Sequence, residues 1–583
     1  MRWLPISIFV GLTALLVFYR ATVLSGFDAV LGDLGDARFN LVILEHWWLV
    51  AQGREAWLNP GFFHPAPEVL GYSDALALLA PPYVLARWVG AAPLHALQVT
   101  VITATALGYA GMAALLRRGL GVALVPALAL AVAFSCGSMV AQSLGAGHVQ
   151  MMAIMALPWL AWLLLIWTHR RNDARSWGRT LAGCGAVLLV AGLLLTSFYV
   201  GWFTGFYLLV LGGVVLAREI IRRGVRPVAV AVRDWLLASR GHLAAVAGCF
   251  ALAVTPFLRL YLPVLKQSGG RPWAEVARTL PLPADLINPQ GNALWAPVVE
   301  SLVPWLVGRK DELGKGLTWC LLAVFLVTTL WSLCAVRRKN GPDYGLGKAP
   351  IMADPRELIL GLGLAVAICW LLIVRLGDDT TLWYGIYRGL PGGLGVRSVF
   401  RFNLVLALPI TMVTAVGLNA LWQRTTCWPQ LGVALLCLLV AVEQVNLTPK
   451  TLSRGRDFAR LEAVPAPPAS CRVVALLPDE PADARFHRWS RQLDVVLVAQ
   501  ALGLPTVNGY SGNAPSGWAL FDPAAGASYR EALARWADDH QLWSGLCGLD
   551  VDRGHWHILS HASRATPAAL PIAAPSGEIL APE

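Results

Sequence analysis

Long apolar runs separated by short polar stretches dominate the first 446 residues of the chain. A membrane-spanning helix needs about 20 mostly apolar residues. Runs of that kind lie at 3–22, 94–116, 119–139, 150–168, 180–198, 200–217, 242–262, 316–335, 357–375, 401–421 and 429–446. The pattern predicts an α-helical polytopic membrane protein with about eleven transmembrane helices.

Basic residues in the short loops predict the orientation of these helices. They form three groups: Arg170, Arg171, Arg175 and Arg179; Arg218, Arg222, Arg223, Arg226, Arg233 and Arg240; Arg337, Arg338 and Lys339. Cytoplasmic loops carry an excess of Lys and Arg, so we expect the N-terminus in the cytoplasm and the C-terminus outside. No small-residue cleavage site follows the first run, which predicts a retained signal anchor.

One further apolar segment, "SDALALLAPPYVLARWVG" at 73–90, competes as a span. Counting it would move the Arg170 group to the outer side. We therefore predict an interfacial or re-entrant helix that is interrupted at Pro81 and Pro82.

The pattern changes after residue 446, where apolar runs shorten and Pro, Asp and Arg return. It predicts a transmembrane domain at 1–446, with a large first outer loop at 23–93, and a small α/β or α+β outer domain at 447–583. Cys471 and Cys547 are the two cysteines of that domain. A disulfide between them and two separate buried thiols are about equally compatible with an oxidising compartment.

Composition supports a membrane protein and argues against a nucleic-acid partner. Hydrophobic residues make up 56% of the 583 residues and charged residues 14%, whereas about 25% is usual in soluble domains. The net charge of +11 comes from arginines in short loops, where they serve as membrane anchors. The cysteines show no metal-ligand spacing.

The first outer loop holds the densest set of polar candidates for a site. They are Asp33, Asp36, Arg38, His46, Tyr72 and Asp74. Asp36 opens "ARFNLVILEHWWLVAQG", which predicts a helix lying along the membrane surface with its tryptophans in the interfacial belt. Capping of this helix explains the presence of Asp36 about as well as a role in a functional site does. Capping explains Asp33 less well.

Three other outer loops contribute candidates, each with a simpler structural interpretation. His148 and Gln150 in "GHVQ" suit a phosphate or a sugar hydroxyl, although a histidine at a helix start is more often structural. Glu300 lies in an apolar stretch, where an ionisable group is costly unless paired. Arg397 and Arg401 offer guanidinium groups that match phosphate oxygens, and snorkelling to anionic headgroups is the alternative.

Together these features resemble the GT-C superfamily of integral-membrane glycosyltransferases over about residues 1–446. The resemblance rests on the acidic first loop with Asp33 and Asp36, the helix with His46, the "LLRRGLG" turn and the "GHVQ" segment. "GVRSVFRFNLVLALPITMVTAVGLNAL" and "PTVNGYSGNAPSGW" look like stretches of uncharacterised bacterial members.

This resemblance implies an inverting transfer of a sugar from a polyprenyl-phosphate-linked donor to a glycan, lipid or protein acceptor outside the bacterial inner membrane. It assigns the base to Asp33 or Asp36 and leaves open which of the two it is. Arg397 and Arg401 would contact the donor phosphate with support from His148, and Arg38, His46, Tyr72, Asp74, Gln150 and Glu300 are further binding candidates. No cofactor is required by the pattern, although the outer carboxylates leave room for a divalent cation.

Two other function classes compete with the enzyme. Eleven spans also suit a transporter or flippase of a lipid-linked saccharide, but carriers place ionisable groups near the bilayer midplane, and here the charges lie at span ends. A non-catalytic scaffold is the third class. Asn508, Tyr510 and Trp518 suit sugar contacts as well as an ordinary loop.

Overall fold

A computed structural model describes most of the chain. The described ranges are 3–169, 177–306, 314–337, 355–377, 380–426, 428–447, 450–478 and 488–560. Five members of the basic groups, Arg170, Arg171, Arg175, Arg338 and Lys339, lie outside these residues.

The chain divides into two compact units. The first contains Met1–Leu58 and Leu70–Asp457, and the second contains Asn59–Val69 and Phe458–Glu583. The first loop is therefore shared, because its segment Asn59–Val69 folds with the C-terminal part of the chain.

The first unit is helical, with one small pair of strands. Its helices are α1 Leu4–Phe18, α2 Arg20–Leu24, α3 Asp36–Ala51, α4 Ala80–Trp88, α5 Pro93–Ala114, α6 Leu124–Ser135, α7 Ser138–Gly145, α8 Leu157–His169, α9 Trp177–Thr196, α10 Phe198–Arg223, α11 Val225–Ser268, α12 Trp273–Ala277, α13 Ala296–Leu302, α14 Trp319–Arg337, α15 Pro355–Ile373, α16 Trp383–Gly389, α17 Phe402–Arg424 and α18 Trp428–Val442. The antiparallel strands are β1 Ala29–Leu31 and β2 Thr451–Ser453.

Among the described residues, seven helical segments are long and apolar enough to cross a membrane. They are Pro93–Gly119, Leu124–Gly145, Val149–Thr168, Trp177–Thr196, Phe198–Arg223, Val225–Ser268 and Val399–Arg424, and each overlaps a predicted span. Shorter apolar helices at Leu4–Phe18, Trp319–Cys334, Glu357–Ile373 and Trp428–Val442 overlap the other four predicted runs.

The segment at 73–90 differs from its prediction at the proline pair. Pro81 and Pro82 lie in the first turn of α4 and start the helix, where a missing N–H costs no hydrogen bond; they do not interrupt it. The helix has 9 residues, too few for a membrane span.

Helix α3 differs from a surface helix. Residues Ala37 to Leu44 are all buried, as are His46 and Leu49. The run from Phe39 to Leu44 is apolar at almost every position, and a helix that is apolar all round is buried on all sides. The first two turns of α3 are therefore enclosed by the protein, and its position along the membrane surface stays a prediction.

The second unit contains a three-stranded sheet with helices. Its helices are α19 Ala459–Glu462, α20 Arg488–Leu502 and α21 Ala527–Asp539, and its strands are β3 Val473–Leu476, β4 Leu546–Asp550 and β5 His555–Ile558. Strand β4 lies at the centre, parallel to β3 and antiparallel to β5. The Cys471–Cys547 disulfide is present and joins the chain just before β3 to β4.

Segment Asn59–Val69 is hydrogen-bonded through its backbone to the chain beside β3. Phe63 N donates to Asn508 O, His64 N to Thr506 O and Thr506 N to Gly61 O, at 2.8–2.9 Å. Thr506 in turn forms an isolated parallel bridge with Val474 of β3. A piece of the first loop thus packs as part of the second unit.

Candidate functional site

Four helix N-termini bring the polar residues of the first unit together. Asp36 is the first residue of α3, and His148 occupies the position just before the short helix Val149–Ala156. Asp74 accepts a hydrogen bond from the Phe198 amide that opens α10, at 2.8 Å, and Arg401 occupies the position just before α17. Helix N-termini carry partial positive charge and unpaired N–H groups, so their convergence favours anions.

Asp33 caps the helix that follows it. Its Oδ1 accepts a hydrogen bond from the Ala37 amide at 3.0 Å. Gly147 lies against this cap in a left-handed conformation (φ +79°), and a Cβ there would come within 2.2 Å of Asp33 Oδ1. Only glycine allows that approach. Asp33, rather than Asp36, therefore caps α3. The sequence had favoured capping for Asp36 over Asp33.

Asp36, His148 and Arg401 form the centre of the cluster. The Asp36 Oδ2 atom lies 3.5 Å from His148 Nε2, and Arg401 Nη2 lies 2.9 Å from the same nitrogen. His148 and Arg401 are buried, with 6% and 4% of their surfaces exposed, whereas the Asp36 side chain is 38% exposed. Asp36 is thus the accessible carboxylate of the group.

Tyr199 supports Arg401 from α10. The guanidinium carbon lies 4.9 Å from the centre of the Tyr199 ring, a cation–π contact. The Tyr199 hydroxyl oxygen also accepts the backbone amides of Arg397 and Ser398, at 3.3 and 3.4 Å. One tyrosine therefore positions both the guanidinium and the chain that precedes it.

Two carboxylates of the cluster have raised pKa values. Burial raises the pKa of Asp33 to about 6, and the charge of Asp36 raises it further, while the Ala37 amide and Lys450 lower it. Burial likewise raises the pKa of Asp74 to about 6 against the lowering effects of the Phe198 amide and Arg401; Asp36 adds a raising effect. The charge of Asp36 therefore raises the pKa of both neighbouring carboxylates. Perturbed carboxylates of this kind are concentrated at functional sites.

Gln150 and Asn40 connect the two helices that carry Asp36 and His148. The Asn40 amide nitrogen lies 3.1 Å from Gln150 Oε1 and 3.0 Å from Gly147 O, and it also bonds the Asp36 carbonyl oxygen. Gln150 is buried. Its interactions fix the "GHVQ" segment against α3.

Arg397 lies four residues before Arg401, and its side chain contacts a carboxylate instead of His148. Its Nη1 atom lies 3.4 Å from Glu275 Oε1 of α12, and about a third of each side chain is exposed. The backbone amide of Arg397 bonds Tyr199, which supports the cluster. Its guanidinium contacts Glu275, which is not part of the cluster.

Four other predicted residues have contacts away from the cluster centre. Arg38 is fully buried and donates from Nε to Leu34 O. His46 has both ring nitrogens engaged, by Glu55 and by the Trp57 carbonyl. Tyr72 donates to Gln267 at 3.1 Å, and Glu300 is exposed on α13.

Sequence reasoning missed Tyr199 and Asn40. Asn40 follows Asp36 by four residues, a spacing that places both on one helix face, so this signal was available. No sequence signal pointed to Tyr199, because interfacial aromatic residues are common at the start of apolar runs.

Within the described ranges, no group of three or more His, Cys, Asp or Glu residues is placed to hold a metal ion. The chain matches no protein-family model, and no curated protein matches it.

Proposed function

We propose that this protein is a membrane glycosyltransferase of the GT-C type that uses a polyprenyl-phosphate-linked sugar donor. The observation that carries the proposal is the cluster itself. Carboxylates, a histidine and an arginine from positions 33, 36, 74, 148 and 401 meet at helix N-termini. An inverting transfer needs a base for the acceptor hydroxyl and cationic contacts for the leaving phosphate.

The base in this proposal is Asp36. Its side chain is the more exposed one, so an acceptor hydroxyl can approach it, whereas Asp33 is occupied in capping α3. Arg401 and the N-termini of α10 and α17 would bind the donor phosphate. Arg397, whose side chain is about one third exposed beside Glu275, would contact the same group from further out.

The proposed topology completes this assignment. The four shorter apolar helices would cross the membrane together with the seven long ones, with the N-terminus in the cytoplasm. The cluster and the C-terminal domain would then face the outer side of the bacterial inner membrane. There the phosphate of a lipid-linked donor lies at headgroup level, and a glycan, lipid or protein acceptor can reach it.

Replacement of the two aspartates separately tests the function. In a strain that lacks the native gene, envelope glycans and lipid-linked sugars are measured by mass spectrometry after complementation. We expect Asp36→Asn to reduce product formation about 10²- to 10⁴-fold. Asp33→Asn should lose much less, because asparagine also caps helices.

The control is Asp234→Asn, an exposed aspartate on α11 paired with Arg233, which should behave as wild type. Wild-type product from Asp36→Asn at equal expression would refute the base assignment. Movement of a lipid-linked saccharide across proteoliposomes, with unchanged sugar linkage, would favour the flippase alternative.

A further inference from the structure

One nitrogen of His148 faces two groups of opposite charge. Its Nε2 atom lies 2.9 Å from Arg401 Nη2 and 3.5 Å from Asp36 Oδ2. A guanidinium only donates hydrogen bonds, so a hydrogen bond with Arg401 requires Nε2 to be the acceptor. The imidazole is then neutral, and its Nε2 lone pair is used by Arg401.

The two charged groups that contact His148 affect its protonation in opposite directions. Asp36 on α3 favours the imidazolium, and Arg401 at the start of α17 opposes it. Asp33, Asp74 and Lys450 belong to the same cluster, where Asp36 acts on both aspartates and Lys450 acts on Asp33. The closest of these groups is the guanidinium, at hydrogen-bond distance.

An anion at Arg401 changes this balance. Arginine makes stronger, charge-assisted hydrogen bonds to phosphate than to a neutral imidazole, so a bound phosphate competes with His148 for the Nη2 donor. The anion also offsets the guanidinium charge that opposes an imidazolium. Both effects raise the affinity of Nε2 for a proton.

We propose that His148 is a phosphate-gated proton acceptor that acts through Asp36. The inference rests on the proposed function, and it adds a role that the glycosyl transfer itself does not require. While Arg401 holds Nε2, His148 takes no proton. When the phosphate of the donor occupies Arg401, Nε2 becomes available 3.5 Å from Asp36.

The proton balance of the transfer follows from this arrangement. The acceptor oxygen bonds to the anomeric carbon, and its O–H bond breaks with the proton passing to Asp36. The bond from the anomeric carbon to the phosphate oxygen breaks, and its electron pair stays on the lipid phosphate. The proton then moves from Asp36 Oδ2 to His148 Nε2, which leaves Asp36 ionised for the next acceptor. When the lipid phosphate departs, His148 releases the proton to water and Nε2 accepts again from Arg401.

The gate is tested by following the protonation of His148 directly. Full-length protein with ¹⁵N-labelled histidine is placed in nanodiscs, and magic-angle-spinning NMR is recorded over a pH range. The His148 signal is identified by its loss in His148→Gln. The probes are a polyprenyl monophosphate, inorganic phosphate and an uncharged polyprenol.

We expect the pKa of His148 to rise by about one pH unit or more when polyprenyl phosphate is added, and to stay unchanged with polyprenol. A rise with inorganic phosphate too would show that the phosphate group alone opens the gate. A rise with polyprenyl phosphate but not with inorganic phosphate would show that the polyprenyl chain is needed for binding. A His148 signal that stays unprotonated with bound polyprenyl phosphate would overturn the proposal.

Variants separate the gate from the function. The amide oxygen of His148→Gln still accepts from Arg401 but takes up no proton, so we expect a lower kcat, an unchanged KM for the donor and an altered pH profile. A purely structural role predicts a normal pH profile for this variant. Arg401→Gln should raise the pKa of His148 without phosphate and abolish its response.

The two hypotheses fail in different ways. If Asp36→Asn abolishes transfer while His148 does not respond to phosphate, the gate is refuted and the enzyme remains. If Asp36→Asn transfers sugar normally, the base assignment fails whatever His148 does.

Discussion

The two compact units each contain a cluster of charged residues, and the clusters differ in how their charges are balanced. In the C-terminal unit, two arginines face two aspartates. Arg460 lies 2.7 Å from Asp494, and Arg491 lies 2.9 Å from Asp552. In the helical unit, burial raises the pKa of Asp33 and Asp74 and the charge of Asp36 raises both further, while Lys450 lowers the pKa of Asp33 and Arg401 that of Asp74.

This difference indicates what each cluster does. A balanced network of hydrogen-bonded charges connects α19, α20 and the turn after β4, and its role is to fix those elements. Burying ionised carboxylates is unfavourable for the fold, and burial raises the pKa of Asp33 and of Asp74 from 3.8 to about 6. Such an arrangement is expected where an anion, a proton or a hydroxyl group must be handled.

The largest effect on stability is expected from the balanced network. Arg491→Met leaves buried carboxylates without one of their two cations, which costs roughly 3–5 kcal/mol for a broken buried pair. Hydrogen exchange of the full-length protein, followed by mass spectrometry, should show lost protection in peptides of α20 and β4. Removing Asp494 as well, in Arg491→Met with Asp494→Leu, should restore part of it.

The matched control for this prediction is Arg535→Met on α21. Arg535 lies 4.0 Å from Glu531, and both side chains are exposed, so its loss should cost no more than about 1 kcal/mol. Equal protection losses in Arg491→Met and Arg535→Met would show that the network does not stabilise the unit.

A smaller effect on stability is expected in the carboxylate cluster, where removal of a charged side chain should stabilise the protein. The pKa of Asp33 is raised from 3.8 to about 6, so the folded protein binds this proton more tightly than the unfolded chain does. Stability therefore falls as pH rises from about 4 to about 6, by roughly 2–3 kcal/mol in all. Asp33→Asn should lose this fall and be the more stable protein above pH 6, as measured by thermal unfolding in detergent.

Asp28→Asn is the comparison for the pH dependence. Hydrogen bonds from Ser453 and the Gly455 amide lower the pKa of Asp28, so its contribution is present above its unfolded pKa and is lost only at lower pH. Between pH 4.5 and 7 this variant should show the wild-type slope. A wild-type slope in Asp33→Asn would contradict the role of burial at Asp33.

The smallest effect on activity is expected at His46. This histidine bonds Glu55 and Trp57, only 9 and 11 residues away, whereas His148 bonds an arginine 253 residues away. His46→Asn should cost about 1–3 kcal/mol of stability through a lost buried hydrogen bond, with turnover per folded molecule at the wild-type level. A loss of turnover equal to that of His148→Gln would place His46 in the site.

The same distinction applies to the loop that suggested sugar contacts. Trp518 donates to the Val507 carbonyl and packs its ring on Phe63 and Phe521. Asn508 is fully buried and bonds Gln492 and Tyr529. Both side chains bond and pack inside the second unit. This agrees with the ordinary-loop interpretation and gives no support to a glycan-binding scaffold.

Apolar length and turn chemistry determined much of this protein from sequence. Twenty-residue apolar runs form helices because an unpaired backbone group is costly in an apolar environment, and this predicted the seven long helices. The proline pair in α4 was misread because a proline breaks a helix interior but suits a first turn.

The tertiary structure alone decided how the polar residues are combined. The sequence identified Asp36, His148 and Arg401 as separate candidates, yet their meeting depends on the packing of α3, the helix after His148 and α17. The capping role of Asp33 depends on Gly147, and the position of residues 61–64 depends on their backbone hydrogen bonds with residues 506–508. Local periodicity and spacing determine elements because they act within one or two turns, whereas a site assembled across hundreds of residues is set by packing.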